Sequence, residues 1–169
     1  MTREAATRVL SALSVGGVRF AVGGGWAIDA LVRRETRVHG DLDLWVPAED
    51  FEPLIPVMVA LGIDRLLPWG GDRPWVVVVH DGGELRVDFH FYEPLPGGVL
   101  HYGSVLAGYR FSADDLGGRG AIGDLSVACE TPECALRHKT GHAPRDVDRV
   151  DIDLLCSEFG LQRPPQPGS

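Results

Sequence analysis

The chain has 169 residues, with 16 Lys and Arg against 24 Asp and Glu, for a formal net charge of −8. That acidity argues against a polymeric nucleic-acid partner, which needs a clustered basic surface to displace counterions; it leaves room for a small nucleotide handled by metal ions and a few local bases. The length suits one domain, and no apolar run approaches the ~18 residues of a membrane span.

The opening MTREAATRVLSALSV lacks the apolar core of a signal peptide, so a cytoplasmic address is expected. Ala5, Val9, Leu10 and Leu13 fall on one side of a helix there. VRFAV (18–22) reads as a short strand, GGG (23–25) breaks it, and WAIDALV starts a helix at once. The polar run 33–40 is a loop, and DLDLWV (41–46) is a second strand with period-2 alternation. Residues 48–62 read as helical, with Pro53 and Pro56 leaving its course open. WVVVV (75–79), the turn HDGG and ELRVDFHFY (84–92) predict a hairpin, since Asp-Gly between β-rich runs is a strong turn signal.

Residues 93–122 are glycine-rich and read as loops with one more short strand. TPECALRHKTG (131–141) is a punctuated helix, with Thr131 as N-cap, Pro132 at the first position and Gly141 beyond the end. A last helix covers roughly 146–159. Strands gathered early and helices at both ends predict an α+β fold: a mixed sheet flanked by helices, one domain over 1–160. The Pro-rich tail 161–169 is expected to be disordered. Three irregularly spaced cysteines are read as reduced thiols.

Three Asp-x-Asp pairs compete for a chemical role. Side chains two apart on a strand share a face, so Asp41 and Asp43 project together while Leu42 and Leu44 point to the core. Positions two apart on a helix diverge and cannot close on one ion. Asp146/Asp148 and Asp151/Asp153 lie in a segment where Val147, Val150 and Leu154 recur at helical spacing, and a structural or solvated role follows. Ahead of Asp41, the strand–GGG–helix element places backbone N–H groups at a helix N-terminus, a natural phosphate seat. In ELRVDFHFY the residues Glu84, Arg86, Asp88, His90 and Tyr92 share one face, either solvated or lining a site. Asp88 beside Asp41 and Asp43 would complete an oxygen set suited to Mg²⁺.

GGGWAIDALVRRETRVHGDLDLWVP, the later VDFH and the C-terminal CETPEC…HKTGHAPRDVDRVD together resemble small nucleotidyltransferases of the DNA-polymerase-β-like superfamily. More narrowly they resemble lincosamide nucleotidyltransferases and aminoglycoside 2″-adenylyltransferases, over roughly residues 18–155. Many superfamily members carry Gly-Ser where this chain has Gly24-Gly25, so no serine hydroxyl is offered to a phosphate there.

The resemblance implies a Mg²⁺-dependent transfer of a nucleoside monophosphate, with ATP the expected donor, to a hydroxyl of a small molecule such as a lincosamide or aminoglycoside, releasing pyrophosphate. Asp41, Asp43 and Asp88 would hold two metal ions, Asp88 acting as ligand, as base or as both. Gly24 and Gly25 would offer backbone donors to the triphosphate, with Arg37 and His39 meeting its outer phosphates. Lys139 and Arg145 are further candidates for nucleotide contact, while Trp26 reads as helix–sheet packing. The alternatives are a biosynthetic metabolite or a protein hydroxyl as acceptor, or a nucleotide-binding module without turnover. So small a chain leaves the acceptor pocket either open or completed by a second subunit, the latter implying a homodimer. Cys129, Cys134, His138 and His142 form a C-x4-C-x3-H-x3-H spacing, shorter than structural zinc sites use, and are read as helix packing.

Overall fold

The computed structural model describes residues 1–67 and 75–163. Its helices are α1 (Arg3–Val15), α2 (Gly24–Val32), α3 (Phe51–Ala60), α4 (Pro132–Thr140) and α5 (Asp146–Phe159). Its strands are β1 (Ala21–Val22), β2 (Leu42–Pro47), β3 (Arg65–Leu67), β4 (Val76–His80), β5 (Arg86–Leu95), β6 (Val99–Tyr102), β7 (Tyr109–Ser112), β8 (Gly118–Ile122) and β9 (Leu125–Cys129). All nine strands join one sheet in the order β3-β4-β5-β2-β1-β9-β8, with β6 and β7 continuing from the far end of β5. β2 runs parallel to β5 and β1 parallel to β9; the other pairings are antiparallel. The sheet is thus mixed and flanked by helices, as the α+β reading expects.

Helix α1 buries Ala5, Val9, Leu10 and Leu13, with Ala6 added to the stripe, and Thr2 caps it by accepting from the Ala5 N–H. Those side chains join Leu42, Leu44, Val87 and Phe89 in the main core, so β2 and β5 turn this apolar face to the main core and carry their acids on the opposite face. Helix α2 is buried on nearly every side, with Trp26 in the core as the sequence suggests. A third cluster joins Ile28 of α2 to Leu136 of α4 and Ile152 and Leu155 of α5, fixing the C-terminal helices beside the start of α2.

Three expectations need correction. VRFAV forms only the two-residue β1. The glycine-rich run 93–122 holds the end of β5 and all of β6, β7 and β8, and β9 and the short β3 were also unforeseen. Gly120 explains one of these: a Cβ there would collide with the Ala30 carbonyl, so a strand that reads as loop is one that approaches a helix closely. In α5 the expected apolar stripe is inverted. Val147 and Val150 are 42% and 57% exposed, while Asp148 and Asp151 are buried with Ile152 and Leu155. The predicted tail lies outside the described residues from 164 onward; 161–163 form no helix or strand. Among the described residues no helix is long and apolar enough to cross a membrane.

Candidate active site

The parallel pairing of β2 with β5 sets Asp43 opposite Asp88. Asp41 stands one position ahead of β2, and with period-2 alternation its side chain joins the same face. Exposure grades sharply along the three: 38% for Asp41, 21% for Asp43 and 1% for Asp88. Arg86, two positions before Asp88 and on its face, donates from Nε and Nη2 to the two oxygens of Asp88 at 3.1 and 3.3 Å. Its Nη2 also stands 3.7 Å from Asp41, and the bond to Asp88 raises the guanidinium pKa. His90 Nε2 lies 3.1 Å from Asp43, and its Nδ1 lies 3.0 Å from the Tyr102 hydroxyl.

The glycine turn meets these acids from the neighbouring strand. Gly23 donates its N–H to the Asp43 carbonyl at 2.9 Å, tying β1 to β2 where α2 begins. Gly24 adopts φ +60°, and a Cβ there would run into the Asp43 carboxylate. The first N–H groups of α2, which have no acceptor within the helix, therefore open beside Asp43.

A cavity of about 530 Å³ collects these parts. Gly24, Gly25, Asp41 and Asp43 line it, and Arg37, His39, Lys139 and Arg145 form one side. Asp88 is buried beneath Arg86. The cations are held by the acids of α5. Arg37 donates to both oxygens of Asp151 at 3.0 and 2.9 Å. Lys139 Nζ bridges Asp148 and Asp151 at 3.2 and 2.8 Å. Arg145 caps Asp148 through its backbone N–H and its guanidinium. Burial alone would raise both acids; the bonds from Arg145 and Arg37 and the charge of Lys139 outweigh it and hold both below the usual carboxylate range. His39 is fixed from behind, its Nε2 2.6 Å from buried Asp29.

Several contributors were not foreseen. Asp29 had a signal, a lone acid in an otherwise apolar helix. Trp45 also had one, sharing the face of Asp41 and Asp43. Its indole lies between the imidazoles of His90 and His138, at centroid distances of 4.8 and 5.4 Å, and its Nε1 donates to buried Glu130 at 2.6 Å. Tyr102 and Tyr109 complete this aromatic side and arrive from strands read as loop. Cys129 lies buried in the main core and His142 bonds the adjacent Ala143 carbonyl, so the four-residue zinc spacing does not assemble as a set.

The three strand carboxylates are an all-oxygen set, which suits a hard divalent cation such as Mg²⁺. That Arg86 is already drawn to two of them shows the cluster's appetite for positive charge. Glycine-turn donors, grouped cations and paired carboxylates thus line one cavity on a mixed sheet, and the fold is that of nucleotidyltransferases. The structure superposes on the lincomycin-bound lincosamide antibiotic adenylyltransferase LnuA with TM-score 0.78, 20% identity, and coverage of 93% of this chain and 98% of that one. It superposes on ANT(2″)-Ia in complex with adenylyl-2″-tobramycin with TM-score 0.71, 21% identity, and coverage of 94% and 91%.

The chain belongs to the aminoglycoside-2″-adenylyltransferase family, whose sequence profile matches residues 5–155. It is 40% identical over 55 residues to the 2″-aminoglycoside nucleotidyltransferases of Escherichia coli and Klebsiella pneumoniae, and that match spans 32% of this chain and 31% of the length of either relative.

Proposed function

We propose that the chain is a Mg²⁺-dependent nucleotidyltransferase that moves a nucleoside monophosphate, with adenylate first in line, from its triphosphate to a hydroxyl of a small antibiotic, releasing pyrophosphate. The observation that carries this reading is the register of Asp43 against Asp88, set beside the N-terminus of α2. Family membership supports the reaction class. The folds of a lincosamide and an aminoglycoside adenylyltransferase support both antibiotic classes as acceptors to test.

Asp41 and Asp43, open to the cavity, would hold the magnesium; the bound ion would draw charge off the phosphoryl oxygens and the leaving pyrophosphate. Asp88, whose two oxygens accept from Arg86, would serve as metal ligand, as base or as both once Arg86 yields it. The N–H groups of Gly24 and Gly25 receive phosphate oxygens at the helix end. Lys139 spends two donors on Asp148 and Asp151 and retains a third for the triphosphate. Arg37 contributes chiefly fixed charge, its Nε and Nη2 being taken by Asp151. Holding these charges in place before the substrate arrives is where most of the rate enhancement of such a transfer originates.

The test is a panel of lincosamides and aminoglycosides incubated with ATP and Mg²⁺, read by pyrophosphate release and by the mass of a nucleotidyl adduct. Wild-type protein is expected to give an adduct with at least one acceptor, and Asp43→Asn to abolish it. Turnover that survives Asp43→Asn would overturn the assignment.

A further inference from the structure

We propose that Glu130, Cys134 and His138 form a second cation site, for a borderline-soft divalent ion of the zinc type, in the wall of the same cavity. Among the described residues these three offer one ligand atom each with all three atoms within 4.8 Å of one another. Oε1 of Glu130 lies 2.9 Å from Nδ1 of His138, and Sγ of Cys134 lies 3.8 Å from that same nitrogen. Tetrahedral zinc, with bonds of ~2.0–2.3 Å, sets its ligand atoms about 3.3–3.8 Å apart. Small side-chain rotations therefore close the set.

The local structure explains why the three converge. Cys134 and His138 are one helical turn apart on α4 and share a face. Glu130 directly precedes the cap Thr131, and its buried carboxylate lies under that face. The ligand set is mixed, O, N and S, unlike the all-oxygen set on β2 and β5, so the two sites differ in the ion they select.

Outer support is also in place. The Glu130 oxygen facing His138 accepts from the Trp45 indole at 2.6 Å, and His138 Nε2 lies 3.4 Å from the Tyr109 hydroxyl. Metal-bound carboxylates and imidazoles are held by just such second contacts, which fix their orientation. A carboxylate only accepts, so in the ion's absence the Nδ1 proton of His138 occupies the place the cation takes. On coordination that proton moves to Nε2, or leaves to solvent where Nε2 already carries one, and the Cys134 thiol proton is released to solvent. Glu130 and His138 both line the cavity while Cys134 is buried behind them, so the fourth position opens toward the cavity. Three protein ligands with an open fourth position can take a water or a donor atom of a bound molecule.

The test uses the full chain, stripped of metal with a chelator and titrated with Co²⁺ alone, followed by the thiolate-to-cobalt charge-transfer band. The band is expected to saturate at one equivalent, to be displaced by Zn²⁺, and to persist in Asp43→Asn and Asp88→Asn. Those two variants separate the failure of this site from the failure of the proposed transferase chemistry. Cys134→Ser should abolish the band, and His138→Ala and Glu130→Gln should weaken binding at least ~10-fold. Circular dichroism checks folding; His138 is partly exposed, so its variant decides the matter if Cys134→Ser fails to fold. No band in the wild type, or a band that survives His138→Ala at full affinity, overturns the proposal.

Discussion

Asp43 and Asp88 meet across two parallel strands, and Asp148 and Asp151 lie three residues apart on α5; one acid of each pair, Asp43 and Asp148, lines the same cavity. Arg86 faces Asp41 and Asp88 and the His90 imidazole faces Asp43, while Asp41 and Asp43 keep part of their surface open. The helix acids are buried and bonded to three cations, Arg37, Lys139 and Arg145. Under the proposed mechanism identical functional groups thus take opposite duties: the strand set would receive a mobile cation, while the helix set holds immobile ones.

The contrast breaks most visibly at Asp43. Its replacement by Asn should lower nucleotidyl transfer at least ~10³-fold, about 4 kcal/mol of transition-state stabilisation, with an unchanged melting temperature. Asp151→Asn should do the reverse in kind: stranding Arg37 and Lys139 should cost about 3 kcal/mol, a fall in melting temperature of roughly 6–12 °C. A stable Asp151→Asn beside an unfolded Asp43→Asn would reverse the assignment of duties. Acid sharpens the same point. Asp148 and Asp151 titrate below their ordinary value of 3.8 in the folded chain, so the unfolded chain binds more protons as pH falls toward and below that value. Their stabilising contribution is complete above that range and is lost beneath it, and urea midpoints between pH 6 and pH 3, chosen to span it, should fall more steeply for wild type than for Asp151→Asn. The smallest effect is expected on the outer side of α5, where Val150→Lys should change stability by less than about 0.5 kcal/mol. A large loss there would mean the outer face is covered in solution.

Local periodicity was enough to separate the strand acids from the helix acids, because two-residue and 3.6-residue spacings put the same pair on one face or on two. It misread α5, where a valine stripe points to solvent and an acid stripe points inward. Inward burial of Asp151 depends on Arg37, which lies 114 residues away and carries no local signature. Strand β8 was hidden for a related reason: its Gly120 permits close approach to Ala30 of α2, a property of the neighbour rather than of the segment. Trp45 was legible from the alternation that placed Asp43, whereas Glu130 became meaningful only once β9 set it under α4.

The glycine turn limits what can stand at position 25. A Cβ on Gly25 would run into Arg37 Nη2 and come within 2.6 Å of His39 Nδ1, and His39 is bonded to Asp29 and tilted against Trp26 at a centroid distance of 4.3 Å. A serine at position 25 would therefore require the His39 imidazole and the Arg37 guanidinium to shift, so the bare glycine and the two seated side chains form one fitted unit at the mouth of the cavity.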